Sequence, residues 1–221
     1  MRKTIIAFAL CLTGAFLNIV ICRLSGFFGF PLYLDTILTI TITLTCGFFW
    51  GALCGIIGNT IYQTIWFWGW EGHLFTLCSI ATAAVVFIFM KLFPRELNLT
   101  LTENKLPQVL SLHKSSRLSF VIDHIIILIL LSFALCLTIS ILGGTIAGFI
   151  LIFSSNNTEE AVISSVFSAT MFGQNFPVIL KEILSRIPMN IIDRLISGFG
   201  GYGIALGLRK IYRVYKPAFN C

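Results

Sequence analysis

Six apolar runs, each close to the length that crosses a bilayer, account for most of this chain. A transmembrane helix needs about 20 mostly apolar residues. Of the 221 residues, 57% are hydrophobic and 11% are charged, against about 25% charged in soluble domains. The sequence therefore predicts an all-α integral membrane protein, a six-helix bundle formed by one domain over residues 1–221. The predicted spans are 5–21, 33–49, 51–68, 74–93, 122–153 and 187–208.

Two of these runs carry further predictions about shape. The fifth is too long for one straight span, so we expect it to tilt or to break near Gly143 and Gly144. The link between the second and third runs is very short, which predicts an antiparallel hairpin. The first run follows Arg2 and Lys3 as in a secretory signal, but no small-residue cleavage site follows it. We expect an uncleaved first helix.

Basic residues flank the runs asymmetrically, which predicts orientation. Eleven Lys and Arg residues lie at the two termini or around the loop between spans four and five, and three lie on the other side. Cytoplasmic loops carry the excess of Lys and Arg, so both termini are expected in the cytoplasm. The outer loops are then 22–32, 69–73 and 154–186. The last is long and includes the apolar stretch 161–172, which we interpret as a lid over the bundle mouth.

Polar residues recur at helical spacing in the last run, at positions i, i+4, i+7 and i+11. At 3.6 residues per turn they share one face; they are Arg186, Asn190, Asp193 and Ser197. Arg194 lies beside them, and Asp35 opens the second run at a similar depth. Such a stripe cannot face lipid. It indicates either an interhelical ion pair, with Asp35 or Asp193 neutralising an arginine, or a ligand pocket built from the same groups. For Asp35 and Thr36, capping of a helix is a further interpretation.

Aromatic and polar residues surround the second outer loop. They are Trp66, Trp68, Trp70, Glu71 and His73. Tryptophans at this depth are typical of an interfacial belt. The alternative is an aromatic wall that stacks on a flat ligand while Glu71 or His73 binds its edge. On that alternative, Trp66 and Trp70 share a face and would form the wall. A further ligand-binding candidate is Asn175 of the long outer loop.

Small residues recur at four-residue steps on two runs. The first run has Ala7, Cys11 and Ala15, and the hairpin has the three glycines Gly47, Gly51 and Gly55. Such faces let helices approach closely in lipid. They predict either packing inside the bundle or, for Ala7, Cys11 and Ala15, a docking face for another membrane subunit.

Several classes of protein are not supported by the sequence. The basic residues cluster at span ends rather than among aromatics, so no nucleic-acid binding is expected. The seven cysteines form no C-x-x-C pair, and we predict no metal site or cofactor. No nucleotide-binding loop and no general base in a suitable setting occur, so an enzyme is not expected.

Three segments resemble those of the substrate-binding S components of energy-coupling-factor (ECF) vitamin transporters, bacterial plasma-membrane proteins. They are PLYLDTI at 31–37, WGALCGIIGN at 50–59 and RIPMNIIDRL at 186–195. The resemblance, with the six-span plan, covers most of the chain. It implies a subunit that binds a vitamin or precursor near the outer face and docks on a transmembrane scaffold subunit carrying two ATPases.

Within that resemblance, the docking motif of the family, Ala-x-x-x-Ala in the first span, corresponds here to Ala7, Cys11 and Ala15. The substitution of cysteine in the middle departs from the usual form. A related alternative is a stand-alone membrane sensor that signals through a separate partner.

Overall fold

The chain folds as a helical bundle in the computed structural model, which describes residues 2–28, 32–66, 70–97, 99, 117–153 and 177–215. All regular structure in these ranges is helical, as the sequence predicts. The elements are α1 (Arg2–Phe27), α2 (Ile37–Cys46), α3 (Phe48–Trp66), a 3₁₀ helix (Trp70–Phe75), α4 (Thr76–Leu92), α5 (Pro94–Leu97), α6 (Arg117–Phe153) and α7 (Val178–Tyr215).

Among the described residues, four helical stretches are long and apolar enough to cross a membrane. They are Thr4–Phe27, Trp70–Leu92, Val121–Phe153 and Val178–Tyr212. The protein is therefore a multi-pass membrane protein. Helix α2 has only ten residues, and α3 carries Asn59 and Gln63 among its apolar residues, so neither meets the same criterion. The count of six spans and the side of each terminus stay predictions.

Helices α2 and α3 form the antiparallel hairpin that the short link predicts. Gly47 joins them with φ +94°, a left-handed conformation that strongly favours glycine. The two helices then approach so closely that a Cβ on Gly51 would lie 2.9 Å from the Cα of Thr43, and one on Gly55 would lie 3.2 Å from Oγ1 of Thr39. Of the three glycines at four-residue steps, Gly51 and Gly55 thus serve packing within the bundle, and Gly47 serves the turn.

Helix α6 is one continuous helix of 37 residues, so the break expected near Gly143 and Gly144 does not occur. Its length of about 55 Å exceeds the roughly 30 Å of a bilayer core. Gly144 instead allows close approach of α7, since a Cβ there would lie 2.6 Å from the Cα of Ile183. This interface follows a four-residue repeat of small residues on α6 that the sequence analysis overlooked: Ser132, Cys136, Ser140, Gly144 and Gly148.

The small-residue face of α1 points into the bundle. Ala7, Cys11 and Ala15 are all buried, and the last two belong to a core cluster with residues of α2 and α3. The backbone of Ala15 also lies against Gly58 of α3. Because intramolecular neighbours cover this face, it offers no room for a partner helix, which corrects the docking alternative.

The last helix begins earlier than the sequence suggests. Helix α7 starts at Val178 rather than near residue 187 and contains Pro188, a residue tolerated in membrane helices when neighbouring groups satisfy the backbone. Beside it, the thiol of Cys136 on α6 donates to the carbonyl of Ile187 at 3.7 Å, a contact between the two helices. The outer loop is correspondingly shorter. The proposed lid at 161–172 lies outside the described residues.

Candidate functional site

A polar cavity lies between the helices at one end of the bundle. Its wall combines the C-terminal halves of α1 and α3, the start of α4, the second half of α6 and the first half of α7. The lining residues are Asn18, Ile19, Cys22, Tyr33, Asp35, Gly55, Gly58, Asn59, Tyr62, Gln63, Phe75, Cys78, Ser79, Ile139, Gly143, Arg186, Asn190 and Arg194. The cavity leaves about 70 Å³ for the centres of water-sized spheres. One water needs about 10–15 Å³ on that measure, so the space has room for about five to seven waters or for a small molecule of similar volume.

Part of the cavity wall is irregular backbone, the segment that precedes α2. Non-helical backbone at membrane depth is tolerated only where it is buried in protein or lines a cavity, because its polar groups need partners. Ser25 donates its hydroxyl to the carbonyl of Leu32 at 2.5 Å, and the N–H of Leu34 donates to Asp193 Oδ1 at 2.9 Å. Leu34 has φ +48°, a conformation uncommon outside glycine. Asp193 therefore helps to hold an unfavourable turn beside the cavity.

Arg194 connects this segment to α7. Its Nη2 lies 2.9 Å from Asp193 Oδ2 and 3.6 Å from Asp35 Oδ1, and its Nη1 donates to the hydroxyl of Thr36. The side chain is almost wholly buried, yet its Nε–H has no hydrogen-bond acceptor. The ion pair with Asp193 is close, whereas the one with Asp35 exceeds hydrogen-bonding distance.

Arg186 and Asn190 present the rest of the polar stripe to the cavity. Arg186 Nε lies 3.9 Å from Glu182 Oε2 one turn earlier, and its guanidinium carbon lies 5.7 Å from the centre of the Phe75 ring, within cation–π range. Asn190 donates to the hydroxyl of Ser140 on α6 at 2.9 Å. The charges of the stripe thus pair with acidic neighbours, while Arg186 and Asn190 also line the cavity.

Amide side chains from α1 and α3 complete the wall, and the sequence analysis did not single them out. Asn18 accepts the Leu38 N–H at 2.9 Å and donates to the hydroxyl of Thr39 at 3.1 Å, so it ties α1 to the start of α2. Asn59 and Gln63 lie four residues apart on α3 and both line the cavity. That spacing places them on one helical face, a signal present in the sequence.

The residues around the second outer loop lie outside the cavity wall. Trp70 is 71% exposed, and Trp66 lies beneath the guanidinium of Arg23, 5.4 Å from its carbon to the ring centre. Glu71 and His73 are half-buried on the 3₁₀ helix and are not among the lining residues. The alternative of a ligand-binding aromatic wall is therefore not supported at these four positions, none of which is among the lining residues.

The cavity has aromatic residues, but different ones: Tyr33, Tyr62 and Phe75. Of the ten residues expected to bind ligand, the structure brings Asp35, Arg186, Asn190 and Arg194 to the cavity and places Asp193 behind Arg194. Asn175 and Trp68 lie outside the described residues.

No protein-family model, no curated protein and no solved structure matches this chain. The chemistry of the cavity must therefore be inferred from its own residues. Those residues offer hydrogen-bond donors, acceptors and both signs of charge in a partly enclosed space, an arrangement suited to holding a small polar molecule.

Proposed function

We propose that this protein is the membrane substrate-binding subunit of an ECF-type uptake transporter and captures a vitamin-sized or vitamin-precursor-sized ligand. The observation that carries the proposal is the polar cavity enclosed at one end of the bundle. Each of the three segments that resemble S components contributes to it. Segment 31–37 supplies Tyr33 and Asp35, segment 50–59 supplies Gly55, Gly58 and Asn59, and segment 186–195 supplies Arg186, Asn190 and Arg194.

The energetics of the charges support binding over a purely structural role. A charged residue within a membrane span costs about 2.5–3.5 kcal/mol on insertion scales. Replacing a buried ion pair by well-packed apolar residues is often neutral or stabilising. A bundle that needed only stability would gain little from Arg186, Arg194 and their acidic partners. Their position around an open space favours recognition of a ligand.

The proposed topology directs this cavity outward. The excess of basic residues supports six spans with both termini in the cytoplasm, with α2 and α3 completing the count. The cavity is formed by the ends of α1 and α3 and the beginnings of α4 and α7, which is the end opposite to both termini. In a bacterial plasma membrane that end faces outside, where an uptake protein meets its ligand.

The proposed partners are a transmembrane scaffold subunit and two ATPases. Since intramolecular packing covers Ala7, Cys11 and Ala15, the scaffold would meet a lipid-facing side of the bundle. Exposed apolar residues such as Phe8 and Phe16 on α1 form part of that side.

The first experiment asks whether the purified protein carries a small molecule. Wild type, Arg186→Gln and the control Arg95→Gln, which is exposed at the other end of the bundle, are purified in mild detergent. Small molecules released by denaturation are compared by mass spectrometry. Losing a charged hydrogen bond costs about 1.5–3 kcal/mol, so we expect the bound compound to fall at least tenfold in Arg186→Gln alone.

The second experiment tests transport. The compound is supplied in labelled form to cells that express the chain with or without a scaffold and its ATPases. We expect accumulation only in cells that express all the components. If the folded protein carries no compound and never copurifies with a scaffold subunit, the proposal is wrong.

A further inference from the structure

We infer that the ligand is an amino-acid-sized zwitterion whose carboxylate is held by Arg194 and whose ammonium group is held by Asp35. This inference rests on the proposed function and names the class of ligand that the cavity takes. It follows from the balance of charges, from the unsatisfied atoms and from the volume of the cavity.

The charged groups at the cavity do not balance. On the described residues of the wall and directly behind it are two guanidinium groups, Arg186 and Arg194, and three carboxylates, Asp35, Glu182 and Asp193. Pairing Arg186 with Glu182 at 3.9 Å and Arg194 with Asp193 at 2.9 Å leaves Asp35, whose side chain is 38% exposed, as the surplus negative charge. An added positive charge would neutralise it.

One donor of Arg194, its Nε–H, has no acceptor among the described residues. Its side chain is 4% exposed and its Nε–H makes no hydrogen bond, a state that costs more for charged than for neutral groups. Asp35 Oδ1, 3.6 Å from Arg194 Nη2, also makes no hydrogen bond. A donor is thus needed beside Asp35 and an acceptor beside Arg194, both on the wall of one cavity.

A ligand that carries both charges meets these two needs with an oppositely charged group at each position. A simple anion would leave Asp35 unneutralised and would add negative charge to a site that already has an excess. A simple cation would leave Arg194 Nε without an acceptor and would be repelled by Arg186 and Arg194. A zwitterion with closely spaced charges places its ammonium group against Asp35 and its carboxylate against Arg194, so each of these loosely paired groups gains an oppositely charged partner.

The size of the cavity agrees with a small molecule of this kind. Its 70 Å³ corresponds to about five to seven water molecules, or roughly 150–200 Å³ of liquid water. An amino acid fits that space, whereas sites for drug-sized ligands occupy about 300–1,000 Å³. The inference therefore narrows the ligand to the smaller, precursor-like end of the proposed range.

The test measures binding to the full-length protein in detergent or nanodiscs. The probes are the twenty common L-amino acids, β-alanine and 4-aminobutanoate, each compared with its deaminated acid and its decarboxylated amine. We expect at least one zwitterion to bind, with at least tenfold weaker binding of both counterparts. In Asp35→Asn the affinity for that zwitterion should fall at least tenfold towards that of its acid. Asp123→Asn, exposed at the other end of the bundle, should bind like wild type.

The panel on the wild-type protein makes the inference independent of how the variants fold. It is overturned if no zwitterion binds, or if an acid or an amine binds as tightly as its parent. Should a ligand of another charge class copurify and be imported, the inference fails while the proposed function stands. Should nothing be carried or imported, both fail.

Discussion

Removing the carboxylate of Asp193 should destabilise the protein more than any other single change at the cavity. In Asp193→Ala the buried guanidinium of Arg194 loses the partner 2.9 Å away. The N–H of Leu34 also loses its acceptor, which lies 2.9 Å away. The left-handed backbone conformation of Leu34 is unfavourable and persists only because surrounding contacts such as this one hold it. Asp193 is 1% exposed, so water does not readily replace either interaction.

The magnitude follows from these two losses. Breaking a buried ion pair by removing one partner costs about 3–5 kcal/mol, and an unsatisfied buried donor costs about 1–3 kcal/mol. Asp35, now 3.6 Å from Arg194, can move closer and offset part of the first loss. We therefore expect a destabilisation of about 4 kcal/mol. Asp193→Asn, which keeps an acceptor for Leu34, should cost less.

The assay is reversible unfolding in mixed detergent micelles, with a double-mutant cycle. Asp193→Ala, Arg194→Ala and the double variant are compared with Ser197→Ala. The hydroxyl of Ser197 is buried without a hydrogen-bond partner, so its removal should be nearly neutral. The double variant leaves no unpaired buried guanidinium, and the carboxylate that it leaves without a cation, Asp35, has a side chain that is 38% exposed. It should therefore be more stable than the sum of the single losses implies, by about 2 kcal/mol or more.

Two results would refute this reasoning. A loss below about 1 kcal/mol in Asp193→Ala would mean that the pair is not energetically coupled to the fold. Strict additivity of the two single variants would mean that Asp193 and Arg194 act on separate parts of the structure.

Three further predictions concern packing and topology. Gly51→Ala should lower stability by about 1–3 kcal/mol or more through overpacking against α2. The control Gly203→Ala, where a Cβ meets nothing within 4 Å, should cause no loss. Equal thermal stabilities of the two variants would contradict this prediction. Ala15→Leu, at a 1% exposed site, should lower thermal stability and ligand binding together, and an unchanged protein would place this face outside the bundle. On a cysteine-free background, Asn157→Cys but not His113→Cys should be labelled from outside intact cells, and the reverse pattern would invert the topology.

Sequence periodicity predicted much of the helical architecture because apolar runs and small-residue steps are local signals. The hairpin at Gly47 followed from a short link. The α6–α7 interface was missed although Ser140 and Gly144 belong to a visible four-residue repeat. The sequence left open whether α6 tilts or breaks, because a pair of glycines permits either a kink or close approach of a neighbouring helix; the structure has a continuous helix against α7.

The candidate site was predictable only where several polar residues share one helix. The spacing of Arg186 and Asn190 indicated a common face, and the position of Asp35 indicated a common depth. Asn18 is an isolated amide in an apolar helix, and its role depends on which helix packs beside it. The sequence could not decide between a belt and a ligand-binding wall for the tryptophans, because a position near the membrane boundary does not distinguish an inward from an outward face. Trp70 faces outward and is exposed.

The shortness of α2 has a consequence for how the protein assembles in its membrane. Ten helical residues extend about 15 Å, half of a bilayer core, and Ile37 to Thr45 are all buried. A segment of that length is too short to cross the bilayer as an independent span. We therefore expect no stable insertion intermediate in which α2 lies in the membrane without its neighbouring helices. Its place must be built by the longer helices around it, which makes α2 a late-assembling element, inserted together with α3. The part of the cavity wall formed by the segment before α2, with Tyr33 and Asp35, is then completed only when the whole bundle has closed.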